Sequence, residues 1–531
     1  MAGNGSRTRR ALALLTLAFV ATASMAAGSP PVADVHAGTL SGIHDPTTGL
    51  DEFKGVPYAA PPVDGLRWKP PQPVAAWQGV RKADHFGPRC MQRAIYGDMV
   101  FRSDGMSEDC LYLNVWTPAL DTGKSLPVLV YFYGGGFIAG DGSEPRYDGA
   151  SMAQRGIVTV TVNYRLGVFG FLALPALAAE SPHHATGNYG LLDQAAALRW
   201  VKRNIAAFGG DPDRITIAGE SAGSMSVSAL MASPLSRDLM QQAIGESGSM
   251  LANLTPRPLA RAEKQGKAFR QHLGADSLAQ LRAMPADQLL AAAGGEGVAH
   301  FGPTIDGYFL PRPPAAIYEA GQQAHVPLLV GSNSQEGFYA LMFDHETPTP
   351  ANYRAVIEKQ FGAHADQALK LYPGATLEQI KASGTALVGD EFIALATWSW
   401  MHWQRKTGEA PVYYYFFTQP RPAKRDGSAG PGTGAVHSGE IEYALGNLSG
   451  NHVYAWTDAD RKVSSVMQGY FAHFIKTGNP NGRGLPYWPR AMQKHGGLLR
   501  QVIGTHTRAV ISHKGARYRF LLKYYTGSWL D

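Results

Sequence analysis

The apolar residues of this chain occur in short continuous runs, separated by segments with helical spacing. Leu126–Tyr133 is apolar throughout and has turn-forming residues around it, the pattern of a strand buried on both faces of a sheet. Further strand-like runs lie at 157–162, 215–218, 326–331 and 412–417, and helical spacing occupies 191–205 and 222–231. This alternation predicts an α/β fold with a twisted, mostly parallel central sheet and helices on both faces.

Two helix-rich stretches, 256–298 and 350–406, are longer than a crossover between strands requires. We expect these helical insertions to form walls around a pocket. The chain has no internal repeat and no linker rich in Gly, Ser or Pro. We therefore expect a single domain over residues 27–531, although a length of 531 residues alone would suggest more than one.

The first 26 residues are typical of an export signal. Three arginines near the start precede the apolar run 11–21, and Ser24-Met25-Ala26 provides a cleavage site of small residues. The run is shorter than the ~20 residues needed to span a bilayer, which disfavours an uncleaved anchor. Arg9-Arg10 also resembles a twin-arginine signal, so two export routes stay open. We expect the mature protein outside the cytoplasm, either periplasmic or secreted.

Charge and composition exclude several classes of partner. The net charge of +6 comes from scattered residues, whereas a nucleic-acid interface needs clustered Lys and Arg. No later segment is long and apolar enough for a stable membrane anchor. The two cysteines, Cys90 and Cys110, most simply form a disulfide in an exported protein. Two buried thiols or one catalytic thiol are the alternatives.

The candidate nucleophile is Ser221. It lies in Gly219-Glu220-Ser221-Ala222-Gly223, between the strand at 215–218 and the helix that begins at Ala222. A G-x-S-x-G match alone is weak, but a strand-to-helix turn is the context that a nucleophile elbow requires. The helix N-terminus also favours negative charge that develops beside it.

A serine hydroxyl needs a base, and the base needs an orienting group. In this type of fold the order is Ser, then Asp or Glu, then His. Glu336 follows the predicted strand at 326–331, and His437 follows the one at 412–417. Both positions lie beyond strand ends, where α/β proteins place their sites. Taken singly, each residue could equally be structural.

Three glycines follow the first buried strand, in Tyr133-Gly134-Gly135-Gly136-Phe137. Without side chains, such a segment turns its backbone N–H groups toward a substrate oxygen. This is the requirement of an oxyanion hole, in which one donor contributes about 3 kcal/mol to the transition state.

With these elements in place, the chain resembles the type-B carboxylesterase family, which includes carboxylesterases, cholinesterases and bile-salt lipases. The resemblance runs from about Gly38 nearly to the C-terminus. Its most specific segments are 53–59, 107–115, 163–167 and 208–223. It implies the α/β-hydrolase fold, a triad of Ser221, Glu336 and His437, and an oxyanion hole formed by the amides of Gly135, Gly136 and Ala222.

The resemblance also implies a Cys90–Cys110 disulfide that closes an Ω-type loop at the pocket mouth. Glu220, Ser247 and Glu440 match family positions in a buried polar network behind the site, where we expect a structural role. The loop between the cysteines contains no Trp, so choline esters are not expected as substrates. Neither a metal nor a cofactor is expected.

The sequence therefore predicts a serine carboxylic-ester hydrolase that cleaves short-to-medium acyl or aryl esters through an acyl-enzyme. The alternatives are a lipase-like enzyme, a specialised polyester or natural-product esterase, and a non-catalytic adhesion or binding module on the same fold. A small-molecule ester is the expected partner.

Overall fold

The computed structural model describes residues 1–3, 29–118, 120, 123 and 125–527. All but the first three residues of the predicted export signal lie outside this range.

The central sheet contains twelve strands among the described residues. They are β1 (Ile43–Asp45), β2 (Leu50–Pro57), β3 (Tyr112–Thr117), β4 (Leu126–Phe132), β5 (Val158–Val162), β6 (Gly210–Glu220), β7 (Gln242–Glu246), β8 (Leu328–Asn333), β9 (Val412–Phe417), β10 (Gln493–Lys494), β11 (Gly497–Ile503) and β12 (Arg508–Ser512).

The strand order is β10-β11-β9-β8-β7-β6-β4-β5-β3-β2-β1, with β12 also paired to β11. From β5 through β4, β6, β7, β8 and β9 to β11 every pairing is parallel. The strands at both edges pair antiparallel. The prediction of a parallel sheet is therefore confirmed for the centre, within a mixed sheet. Five of the central strands, β4, β5, β6, β8 and β9, contain the apolar runs of the sequence, and every residue of the Val-Thr-Val-Thr-Val strand β5 is buried.

Sixteen α-helices are present in the described part of the chain. They are α1 (Ala150–Ala153), α2 (Gly167–Phe171), α3 (Pro175–Glu180), α4 (Tyr189–Asn204), α5 (Ala222–Ala232), α6 (Leu259–His272), α7 (Leu278–Ala283), α8 (Ala286–Ala293), α9 (Pro314–Glu319), α10 (Pro350–Phe361), α11 (Ala365–Leu371), α12 (Leu377–Gly389), α13 (Leu395–Thr407), α14 (Ile441–Leu445), α15 (Asp458–Thr477) and α16 (Gly515–Thr526).

Two groups of helices cover the sheet. Helices α4, α5, α9 and α13 pack on one another or on the central strands, and α14 packs on α15, which contacts β4 and β6. Helix α15 shows why such segments are helical: a reciprocal capping box of Thr457 and Asp460 starts it, and Gly478 in the left-handed conformation ends it. The two predicted insertions correspond to α6–α8 and α10–α13.

A one-turn π-helix, Asp390–Ala394, joins α12 to α13. The sequence pattern predicted only a helix-rich stretch here. Such a turn places one extra residue between two helical segments and shifts the direction of the side chains it carries.

Candidate active site

Ser221 occupies the sharp turn between β6 and α5. Its backbone has φ 55° and ψ −121°, a conformation that costs a non-glycine residue about 1–3 kcal/mol. The turn is fixed by a hydrogen bond from the Ser221 amide to the carbonyl oxygen of Glu246, at 2.9 Å. A Cβ at Gly219 would lie 2.6 Å from the carbonyl oxygen of Phe132, and one at Gly223 only 2.0 Å from it. Both glycines of the motif are therefore required by packing.

The structure brings the three predicted triad residues together from three separate strand ends. Nε2 of His437 lies 2.9 Å from Oγ of Ser221, and Nδ1 lies 2.8 Å from Oε2 of Glu336. Ser221 follows β6, Glu336 follows β8 and His437 follows β9. These strands belong to the consecutive parallel run β9-β8-β7-β6 of the sheet. Parallel neighbouring strands end at the same edge, which is why residues 101 and 216 positions apart meet here.

Glu336 is surrounded by donors. Its Oε1 accepts hydrogen bonds from the amide of Asn333 and from Oγ of Ser247, both at 2.6 Å. Burial by itself would raise the pKa of Glu336, but the hydrogen bonds and charge of His437 and these two donors hold that pKa below its ordinary value. Glu336 is thus an anion at neutral pH, positioned to accept the Nδ1–H of His437.

Glu220 lies on the other side of the same imidazole, with Oε1 3.3 Å from Nε2 of His437. Burial raises the pKa of Glu220 to about 8, against the opposing effect of the His437 charge. Burial and the charge of Glu336 raise the pKa of Glu440 to about 7. For His437, burial lowers the pKa, but the carboxylates of Glu220 and Glu336 outweigh burial and raise it.

The polar network behind the site contains the three predicted residues and two others. Oγ of Ser247 lies 3.4 Å from Oε1 of Glu440, and the Asn333 side chain donates to Oε2 of Glu440. Sequence reasoning missed Asn333 and Glu246. Burial and the charges of Glu440 and Glu220 raise the pKa of Glu246, whose Oε1 accepts from the Tyr131 hydroxyl at 3.2 Å. The position of Glu246 directly before Ser247 was the available signal.

The glycine segment after β4 lies against the turn of the nucleophile. A Cβ at Gly134 would lie 3.1 Å from Cβ of Ser221. Gly135 and Gly136 have φ values of 106° and 63°, which glycine adopts without strain, and their amides donate no hydrogen bond within the described residues. Ala222 is the first residue of α5, so its amide has no intrahelical acceptor. The oxyanion hole formed by the amides of Gly135, Gly136 and Ala222 stays a prediction.

An exposed aromatic ring covers the imidazole. Phe392, in the π-turn, packs edge-to-face on His437 with ring centroids 4.8 Å apart. The Phe392 side chain is 46% exposed. Phe392 therefore forms one wall of the entrance to Ser221. Sequence reasoning missed this residue, because its position depends on the π-turn.

The comparisons with known proteins agree with this geometry. Residues 29–520 match the carboxylesterase family. The chain belongs to this family. It is 38% identical over 477 residues to the fumonisin B1 esterase of Sphingopyxis macrogoltabida, covering 85% of this chain and 84% of that one. It is 37% identical over 457 residues to the para-nitrobenzyl esterase of Bacillus subtilis, covering 83% and 89%.

A solved carboxylesterase structure from Geobacillus stearothermophilus superposes with a TM-score of 0.80 at 33% identity, over 93% of this chain and 100% of that one. The α/β-hydrolase fold and the resemblance predicted from sequence are thereby confirmed. The protein is a carboxylesterase, an enzyme that hydrolyses carboxylic esters.

The predicted disulfide of this carboxylesterase is present between Cys90 and Cys110. The loop that it closes reaches the glycine segment after β4. Gln92 exchanges hydrogen bonds with the backbone of Gly140 at 2.8 and 2.9 Å, and a Cβ at Gly136 would lie 3.2 Å from the Tyr96 hydroxyl. The disulfide loop therefore packs against the glycine segment that precedes Gly140.

Within the described ranges, none of the carboxylesterase's helices meets the length and apolarity needed to cross a bilayer. The same residues contain no group of three or more His, Cys, Asp or Glu side chains arranged to hold a metal ion.

Proposed function

We propose that Ser221, His437 and Glu336 are the catalytic residues of this carboxylesterase, acting through an acyl-enzyme. The observation that carries the proposal is the continuous line of hydrogen bonds, 2.9 Å from Ser221 to His437 and 2.8 Å from His437 to Glu336. It joins a strained serine on a nucleophile elbow to a base and an ionised carboxylate, the arrangement that activates a hydroxyl.

In the first step, Oγ of Ser221 attacks the ester carbonyl carbon while its proton passes to Nε2 of His437. The carbonyl oxygen becomes an oxyanion that accepts hydrogen bonds from the amides of Gly135, Gly136 and Ala222. When the tetrahedral intermediate collapses, the bond to the alcohol oxygen breaks, and His437 returns the proton to that oxygen. The acyl group stays on Ser221.

In the second step, water replaces the alcohol. His437 takes a proton from water as the water oxygen attacks the acyl carbon, and the proton then goes to Oγ of Ser221 as the acid leaves. Glu336 remains ionised throughout, because its three donors stabilise the anion. It orients the imidazole and stabilises the imidazolium of each intermediate.

Replacing Ser221 by alanine tests the proposal. Without the nucleophile, kcat on 4-nitrophenyl butyrate should fall by at least about 10⁴-fold, and an organophosphate that labels the wild type one to one should no longer bind covalently. Ser224→Ala is the matched control, because the Ser224 hydroxyl on the same helix bonds only the carbonyl of Gly248. This control should retain activity and labelling. A Ser221→Ala enzyme of undiminished kcat would refute the mechanism.

The preferred substrates in this proposal are short-to-medium acyl or aryl esters. One relative is named for para-nitrobenzyl esters, and the entrance has an aromatic wall at Phe392. A specialised natural-product esterase is the second candidate, favoured by the similarity to a fumonisin B1 esterase. A series of 4-nitrophenyl esters from acetate to palmitate separates both from a lipase-like enzyme, for which kcat/KM would rise toward the longest chains.

We also propose that residues 1–26 are an export signal and that residues 27–531 form a single catalytic domain outside the cytoplasm. Two observations support this: the family match begins at residue 29, and the two cysteines form a disulfide, which persists in oxidising compartments. N-terminal sequencing of the exported protein would identify the cleavage site.

A further inference from the structure

A groove rich in basic side chains lies along α6. It encloses about 480 Å³ between one face of this helix and the segment 296–299. Four of its side chains carry or can carry a positive charge and one carries a negative charge. These are Arg257, Arg261, Lys264, His272 and Glu296. We call this site the basic groove.

The positive charges of the basic groove are not neutralised by the protein. The Arg257 guanidinium donates to two uncharged acceptors, Oε1 of Gln265 at 2.7 Å and the carbonyl oxygen of His300 at 2.5 Å. Burial and the charge of Arg261 lower the pKa of Arg257. No ion pair within the described ranges involves Arg257, Arg261 or Lys264. Arg261 and Lys264 are exposed on α6, and together with Arg257 they place three cations around one concave site that also holds one carboxylate.

The basic groove is connected to the candidate oxyanion hole by two hydrogen bonds. Arg257 holds the backbone of His300, and Nε2 of His300 lies 2.8 Å from the carbonyl oxygen of Gly136. Burial lowers the pKa of His300, against the effect of the hydrogen bond that its Nε2 donates to the Gly136 carbonyl. The imidazole therefore adds no charge of its own at neutral pH.

A second, mostly apolar cavity of about 210 Å³, whose lining also includes Arg93, adjoins the basic groove. His300 and Ile138 belong to its walls, and Val298 lines both this cavity and the basic groove. Ile138 follows the glycine segment directly. Through these shared wall residues the cavity connects the basic groove with the region beside the glycine segment.

We propose that the basic groove binds a carboxylate of the substrate, so that the enzyme prefers esters bearing a second, ionised carboxyl group over neutral esters of the same shape. The proposal rests on the function proposed above and names a substrate class for it. Guanidinium groups suit this ligand because their N–H groups match the geometry of a carboxylate.

Two pairs of substrates test the proposal and locate the carboxylate. In the first pair the charge is in the acyl part: mono(4-nitrophenyl) adipate against 4-nitrophenyl hexanoate. In the second it is in the leaving alcohol: 4-acetoxybenzoate against its methyl ester. We expect the wild type to favour the anionic member of one pair in kcat/KM, and to lose this preference in high salt, which screens partly exposed charges.

Lys264→Glu and Lys267→Glu are the matched variants. Both lysines are exposed on α6, and Lys267 lies outside the basic groove. Lys264→Glu should lower kcat/KM for the favoured anionic ester by about fivefold, and Arg261→Glu/Lys264→Glu by about twentyfold, with neutral esters changed less than about twofold. Lys267→Glu should leave the preference for the anionic ester unchanged.

Equal losses on the anionic and neutral esters, or an equal loss in Lys267→Glu, would overturn the proposal. So would a wild type that does not distinguish the members of either pair. In each of those cases the wild type would still cleave neutral esters and Ser221→Ala would not. The result would then contradict only the role proposed for the basic groove. Turnover that survives in Ser221→Ala would instead overturn the proposed function.

Discussion

Glu336 and Glu220 are two buried carboxyl groups on opposite sides of one imidazole, and their pKa values shift in opposite directions. Glu336 is 6% exposed and Glu220 2%, so burial penalises both anions. Glu336 accepts hydrogen bonds from Asn333, Ser247 and His437. The Oε1 of Glu220 accepts none within the described residues. Its pKa is raised to about 8, whereas that of Glu336 is lowered.

The comparison shows that donors, and not depth, decide which carboxyl group is ionised beside His437. Each donor stabilises the anion that burial destabilises. At pH 7, below a pKa of about 8, Glu220 is mostly protonated, while Glu336 carries the charge that orients the imidazole. Two glutamates of one site therefore differ in their protonation state at pH 7.

The largest effect is expected from Glu336→Gln. The new amide group would donate its N–H to Nδ1, so the imidazole would carry its proton on Nε2 and could not accept the proton of Ser221. We expect kcat to fall by about 10⁴-fold, as for the corresponding change in a serine-protease triad. Steady-state kinetics with a thermal unfolding control measures this. Loss of less than about tenfold would show that Glu336 is not the orienting anion.

Glu220→Gln should have a much smaller effect, because the amide resembles the protonated carboxyl group already present at pH 7. We expect kcat/KM to change by less than about tenfold. His437 must be neutral to act as a base, so activity appears as pH rises through its pKa. Because Glu220 carries little charge at and below pH 7, its replacement should leave the acid limb of the pH–kcat/KM profile close to that of the wild type. A loss of activity as large as that of Glu336→Gln would contradict the conclusion that Glu220 is protonated while Glu336 is ionised.

Ser247→Ala removes one hydrogen-bond donor from Glu336, and we expect its effect mainly on the stability of the protein. A hydrogen bond to a charged group contributes about 1.5–3 kcal/mol, so the free energy of unfolding should fall by about this amount at pH 7. The matched control is Ser249→Ala, because Ser249 is equally buried but donates to the carbonyl of Ala396, an uncharged acceptor. Chemical denaturation of both variants measures the difference. Equal losses would show that the charge of Glu336 does not depend on Ser247.

Much of the fold could be predicted because the central strands are buried on both faces and read as continuous apolar runs. Strand β7 was missed, since its five residues have polar Gln242 and Glu246 at the ends. The outermost strand β1 was missed because it has only three residues, two of which are exposed. The π-turn could not be predicted, because tertiary contacts such as the ion pair of Arg517 with Asp390 accompany it.

The residues of the candidate site also fall into two groups, those that could be predicted from the sequence and those that could not. Ser221, Glu336 and His437 could be named because motif, chain order and positions after strands point to them. Glu246, Phe392 and His300 could not, because each matters only through a neighbour distant in sequence: Tyr131, His437 and Gly136. Local sequence patterns identify the candidate catalytic residues, whereas the residues that surround them are identified only from tertiary packing.

The left-handed backbone of Ser221 has a consequence for how such an enzyme persists. Because the strained residue is also the reactive one, the surrounding sheet and helix must hold it against its own conformational preference. Evolution toward greater stability alone would favour a residue without that strain, and would remove the reaction with it. The hydroxyl at this turn therefore survives in a lineage only while its chemistry is needed.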